Sequence, residues 1–60
     1  ERIQYEISRL PDKYRSVIVL KYIEELSLQE ISDILDMPLG TVKTRIHRGR
    51  EALRKQLNNL

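Results

Sequence analysis

The sequence predicts an all-α fold, a small four-helix domain containing a helix-turn-helix. Three observations predict it. Apolar residues recur at helical spacing in four successive stretches. The breaks between them, at Pro11, Ser27, Asp36-Met37-Pro38 and Gly40, carry helix start and stop chemistry. The one run that also reads as a buried strand, Val17-Ile18-Val19-Leu20, has no second strand candidate to pair with.

The first helix is expected from Glu1 to about Arg9, with Ile3, Ile7 and Leu10 at helical spacing. Pro11 ends it, because proline disfavours helical geometry in the residue before it. Pro11 also suits the first position of the next helix, where its missing N–H is no loss. Asp12 then lies in the first turn, at the positive end of the helix dipole. This second helix is expected to run to about Glu24, with Tyr14, Val17, Ile18 and Tyr22 on its inner face.

Ser27-Leu28-Gln29-Glu30 is a capping box, in which Ser27 caps the N–H of Glu30 and Glu30 reaches back to Ser27. A short third helix comes next, with Leu28, Ile31, Ile34 and Leu35 directed inward. Asp36-Met37-Pro38 breaks it. Gly40-Thr41 opens the last helix, one of the two lying near its cap. Asn58-Asn59-Leu60 should fray at the end.

Sixty residues make one small domain. Such a chain buries only roughly 60% of its unfolded surface, so its core is thin. Without cysteine, neither a disulfide nor a thiolate metal site supplements that core. A cysteine-free chain also fits a reducing cytosol. No apolar run approaches the ~20 residues that span a bilayer, so no membrane insertion is expected. The chain opens on Glu1 rather than Met, as a fragment of a longer protein would.

The net charge of +2 hides an asymmetry. Residues 1–38 carry five basic and eight acidic side chains, a balance of −3. Residues 39–60 carry six basic and one acidic, a balance of +5. A basic C-terminal third is the electrostatic footprint of a nucleic-acid surface, although charge alone fits a solvated helix face equally well.

Residues 38–54 decide between these. On a helical wheel at about 100° per residue, Ile46, Gly49, Leu53 and Leu57 fall within about 60° of Val42. Lys43, Thr44, His47, Arg48, Glu51, Arg54 and Lys55 occupy the arc from about 100° to 240°. One face is apolar and the other almost purely basic. A capped short helix, a tight turn and a longer helix with early basic residues is the helix-turn-helix order, whose second helix enters the major groove.

With DNA as the ligand, these residues divide into two roles. Lys43, Thr44, His47 and Arg48 lie near the helix start on the outer face, within reach of base edges. Arg45, Arg50 and Arg54 lie on the flanks or farther along, placed for phosphates, which set position and salt dependence. The N–H groups of Ser27 to Gln29 and of Thr41 are further candidate phosphate ligands.

No catalytic constellation is legible, and the chain does not read as an enzyme. His47, the only histidine, lacks any cysteine or companion ligand, so neither a metal nor a cofactor is expected. Glu6, Glu24, Glu25, Asp33 and Asp36 read as a solvated acidic face. The serines lack a nucleophile-elbow context. Tyr14 and Tyr22 read as core or rim residues, and Tyr5 as a residue that could meet a partner.

Three motifs stand in order along the chain: Leu10-Pro11-x-x-Tyr14-Arg15-x-Val17, Leu26-Ser27-x-x-Glu30-Ile31, and Pro38-x-Gly40-Thr41-Val42-Lys43-Thr44-Arg45-Ile46-x-Arg48-x-Arg50-Glu51-Ala52-Leu53. Together they resemble region 4 of bacterial sigma factors, most closely the extracytoplasmic-function group and within it the sigma-W type. The resemblance covers nearly all of residues 1–60. It departs at Ser32, where alanine is common, and at Asp36, where glycine is common. Aspartate tolerates the left-handed conformation better than most residues. His47 occupies a variable place that is often aromatic, which makes the target sequence, not the fold, the variable.

The resemblance implies binding to the promoter −35 element within RNA polymerase holoenzyme, in the bacterial cytoplasm. It implies docking on the flap of the polymerase β subunit and masking by an anti-sigma factor. By motif position, Lys43, Thr44, His47 and Arg48 would face bases, and Gln29, Thr41, Arg45 and Arg50 would hold the backbone. The −35 element of this group often has an AAC-type core, read partly through the stiff geometry of adenine-rich DNA. The polymerase-facing surface should be apolar, away from the groove face and on the first two helices. Two other readings compete. A LuxR-type response-regulator output domain shares Ser-x-x-Glu-Ile and Thr-Val-Lys, but it usually has Thr-Val-Lys-x-His and lacks the tail from Arg48. A protein-interaction bundle would leave the basic arc as ordinary solvated helix.

Overall fold

The computed structural model describes residues 2–58. Four α-helices succeed one another: α1 Arg2–Ser8, α2 Asp12–Ile18, α3 Leu28–Leu35 and α4 Leu39–Asn58. Among the described residues there is no strand, and Val17 to Leu20 are helical. Glu1, and the expected fraying at Asn59 and Leu60, lie outside the described residues; Asn58 still belongs to α4.

Between α1 and α2 the turn is fixed from both sides. Leu10 N–H donates back to the Ile7 carbonyl at 3.1 Å, and the Leu10 side chain is buried. Pro11 stands one residue earlier than expected, capping α2 rather than opening it, at φ −54° and ψ 147°. Its carbonyl accepts from Tyr14 and Arg15 N–H at 2.9 and 2.8 Å. The extended ψ before a helix is where a residue without an N–H is least missed.

The second helical stretch reaches Ile23, close to expectation, but not as α-helix throughout. After Ile18 it widens into a π turn over Val19–Ile23, with Glu24 N–H bonded to the Val19 carbonyl at 3.0 Å. A π turn holds an extra residue, so the side chains beyond it are rotated from their α-helical directions. Tyr22 therefore leaves the inner face it would share with Ile18, and both Tyr22 and Ile23 are exposed. Glu25, at φ 58°, turns the chain out of this segment, and Leu26 N–H closes the turn on the Leu20 carbonyl at 3.0 Å.

Both halves of the capping box at α3 are made. Ser27 Oγ accepts from Glu30 N–H at 3.0 Å, and Glu30 Oε1 accepts from Ser27 N–H at 2.9 Å. Ile31 is buried, with Leu28 and Leu35 packed against the same core. Ile34, expected inward, is 59% exposed. It lies on the flank of that stripe and borders an open cleft beside Arg15 and Val19 of the preceding helix. Asp36 takes the left-handed conformation, at φ 52° and ψ 51°. Ser32 holds the turn, donating from Oγ to the Met37 carbonyl at 2.6 Å.

Because Asp36 already reverses the chain, α4 starts earlier than Gly40-Thr41. The Pro38 carbonyl accepts from Thr41 and Val42 N–H at 3.0 and 3.1 Å, which places Gly40 and Thr41 inside the first turn. The core is Ile7, Leu10, Val17, Ile18, Ile31, Val42 and Ile46. It sits between α2 and α4, with α3 closing one end and α1 the other.

Glu6 departs from the expected solvated acidic face, being only 2% exposed. Its Oε1 accepts from Arg9 Nη1 and Gln56 Nε2, both at 3.1 Å, and Gln56 Nε2 also reaches the Glu6 carbonyl at 2.8 Å. A buried carboxylate needs such partners. These tie α1 to the last turns of α4.

Candidate nucleic-acid interface

The helix-turn-helix consists of α3, the Asp36-Met37-Pro38 turn and α4. What α4 buries decides what it presents. Val42, Ile46 and Gly49 are buried, with Ala52, Leu53 and Leu57 partly so. The opposite arc, Lys43, Thr44, His47, Arg48, Glu51, Arg54 and Lys55, is exposed along its whole length. The wheel division therefore holds residue by residue, and the four expected base-facing residues form one open row.

The flanking cations do not form one group. Arg45 lines a polar cleft of about 360 Å³ together with Lys13, Tyr14, Gly40, Thr41, Thr44 and Arg48. Arg50 and Arg54 border a different groove, of about 410 Å³, on the other flank of α4. Its walls are apolar: Ile3, Ile7, Ile18, Tyr22, Leu53 and Leu57. The basic residues thus bracket the open row from two sides.

Their charges are not equally available. Arg54 pairs with Glu51 at 2.8 Å. The hydrogen bond and charge of Arg54 hold the Glu51 carboxyl below its ordinary range, and Glu51 in turn raises Arg54. Among the described residues, Lys43, Arg45, Arg48, Arg50 and Lys55 make no ion pair. Gln29 donates from Nε2 to Asp33 Oδ1 at 3.1 Å, which positions its carboxamide and leaves the second amide hydrogen free.

Two candidate phosphate ligands fall away. The N–H of Ser27 is taken by Glu30, and that of Thr41 by the Pro38 carbonyl. Thr41 retains its hydroxyl, in the wall of the polar cleft. Sequence reasoning missed Lys13. It belongs to the acidic N-terminal part of the chain, and only the packing of α2 on α4 brings it beside Arg45. No cluster of metal-ligating side chains occurs among the described residues. No helix of the described residues is long and apolar enough to cross a membrane.

The family model for sigma-70, region 4 matches residues 1–53. The chain belongs to the sigma-70 region 4 family. Among its relatives, the ECF RNA polymerase sigma factor SigW of Bacillus subtilis is 76% identical over 97% of this chain. The ECF RNA polymerase sigma factor SigE of Mycolicibacterium smegmatis is 47% identical over 92%. The ECF RNA polymerase sigma-E factor of Haemophilus influenzae is 39% identical over 100% of this chain. The match covers 31%, 21% and 32% of these relatives, so the region 4 chain spans a third of their length or less. Membership in this family sets aside the LuxR-type reading. It also accounts for the row on α4 being carried by a helix-turn-helix.

Proposed function

We propose that this region 4 domain binds the promoter −35 element as part of an extracytoplasmic-function sigma factor that directs RNA polymerase to promoters in the bacterial cytoplasm. It is a binding module and not an enzyme. The observation that carries the reading is the open row Lys43, Thr44, His47 and Arg48 at the start of a helix whose opposite face is buried. A helix so held enters the major groove with its early residues on base edges. Arg48 and Lys43 are suited to guanine O6 and N7, and Thr44 to a thymine methyl or a polar edge. Gln29, Thr41, Arg45, Arg50 and Arg54 hold the sugar-phosphate backbone. Arg54 contributes least, because Glu51 offsets its charge.

The apolar groove supports the second half of the reading. Ile3 and Tyr22 are 42% and 47% exposed at its rim. It lies on the side of α1 and the second helix, away from the open row. We assign the flap of the polymerase β subunit to this face, and an anti-sigma factor would mask the domain by covering it.

A promoter selection with the full-length protein and polymerase core, followed by salt titration of the selected duplex, tests the proposal. Selected sites should share a −35 motif, and affinity should fall steeply with salt. Absence of binding at low salt by the intact protein would favour a protein-interaction bundle instead.

A further inference from the structure

The polar cleft between α2 and α4 is not accounted for by the base-reading row. Three cations line it, Lys13 from α2 and Arg45 and Arg48 from α4, with the Thr41 and Thr44 side chains between them. No carboxylate lines it. The nearest acidic neighbour in sequence, Asp12, is paired with Arg15 and borders the separate cleft beside Ile34. Lys13 Nζ stands 5.2 Å from the centre of the Tyr14 ring, a contact that keeps the ammonium against the α2 side of the cleft. Among the described residues, none of the three cations makes an ion pair. Like charges gathered without a counter-charge form a site that an anion relieves.

We infer that Lys13, Arg45 and the Thr41 hydroxyl form a clamp for one backbone phosphate of the bound duplex, with Arg48 at its boundary with the base-reading row. This rests on the DNA-binding reading above and adds to it a contact from outside the helix-turn-helix. A helix in the major groove has a phosphate strand along each flank. The cleft occupies one flank of α4 and Arg50 the other. Lys13 ties the first strand to α2, so the phosphate fixes the roll of α4 in the groove as well as its depth.

The test uses the full-length protein and the duplex that wild type selects, with single phosphates replaced by neutral methylphosphonates. Lys13→Ala should weaken specific and unrelated duplexes alike, by about threefold or more at low salt, and should lower the salt slope by about one. Lys13→Arg should restore both. One methylphosphonate position should weaken wild type clearly more than Lys13→Ala, which keeps only Arg45 and Thr41 on that phosphate. Unchanged melting curves will show that the variants fold. If Lys13→Ala and Lys13→Glu bind as wild type does while Arg50→Ala is weakened, the clamp is wrong and the DNA reading stands. If wild type shows no salt-dependent binding, both fall together.

Discussion

Gly49 on α4 lies against Ile18 on α2 so closely that a β-carbon would stand 2.9 Å from Ile18 Cγ1 and 3.3 Å from Tyr14 Cβ. Ile18 is 1% exposed, and the atoms met include its Cγ1 and the Cβ of Tyr14, which lie close to the backbone and cannot swing aside. Gly49→Ala gains about 1 kcal/mol of helix propensity. It also overpacks the core at a typical cost of about 1–3 kcal/mol. The net should be a loss of about 1 kcal/mol, and Gly49→Val should lose more. Gly40 is the control, since nothing lies within 4 Å of its would-be β-carbon. Gly40→Ala should be neutral or stabilising by up to about 1 kcal/mol. Chemical denaturation of the two variants should give opposite signs.

The Glu6–Gln56 contact joins residues fifty positions apart. Gln56→Ala removes one of two donors from both the buried carboxylate and the Glu6 carbonyl, leaving Arg9 Nη1 on the first and Arg9 N–H on the second. Losing hydrogen bonds to a buried charged acceptor costs about 1.5–3 kcal/mol. In a domain of this size that lowers the melting temperature by roughly 5–25 °C. Gln56→Glu should be worse, because it sets two carboxylates together. A melting temperature unchanged in Gln56→Ala would mean that α1 is held by its apolar contacts alone.

The capping box gives the domain a pH signature. Bonds from the Ser27 backbone N–H and then from its hydroxyl hold the Glu30 carboxyl below its ordinary value of 4.5. Glu51 is lowered too, by Arg54. A carboxyl depressed on folding adds stability above its unfolded pKa and loses it as pH falls through the folded value. Stability should therefore be flat near neutrality and decline as pH drops below about 4.5. Glu30→Gln keeps a side chain able to complete the box. It should stay close to wild type at neutral pH and decline less in acid. An identical decline in the two proteins would remove Glu30 as a source of the dependence.

Those contacts also mark where sequence alone reached and where it stopped. The capping box, the left-handed Asp36 and the two faces of α4 were legible, because each is set within one or two turns of chain. So was the open row of four candidate base-facing residues. Lys13 in the polar cleft and the Glu6–Gln56 tie were not, since only α2 and α1 packing on α4 creates them. The π turn over Val19–Ile23 hid because the helical spacing up to about Glu24 reads as one unbroken helix. Its effect, turning Tyr22 outward, produced part of the apolar rim.

Arg48 and Arg50 sit two residues apart yet on different sides of α4, and their loss should differ in kind. Arg48 is exposed beside the row Lys43, Thr44 and His47. A bidentate contact to a base carries about 1–3 kcal/mol of discrimination. Arg48→Ala should therefore flatten preference at one base pair of the selected site. Arg50 borders the apolar groove on the opposite flank from Lys13 and makes no ion pair among the described residues. Arg50→Ala should weaken every duplex by a similar factor and reduce the salt slope by about one. Arg54→Ala should do less, since Glu51 already offsets that charge. Glu51→Gln should raise affinity for any duplex by freeing Arg54. Binding of each variant to the selected duplex, its single-base variants and an unrelated duplex, across a salt series, separates these outcomes. Equal effects of Arg48→Ala and Arg50→Ala on all duplexes would show that the division between base reading and backbone holding is drawn in the wrong place.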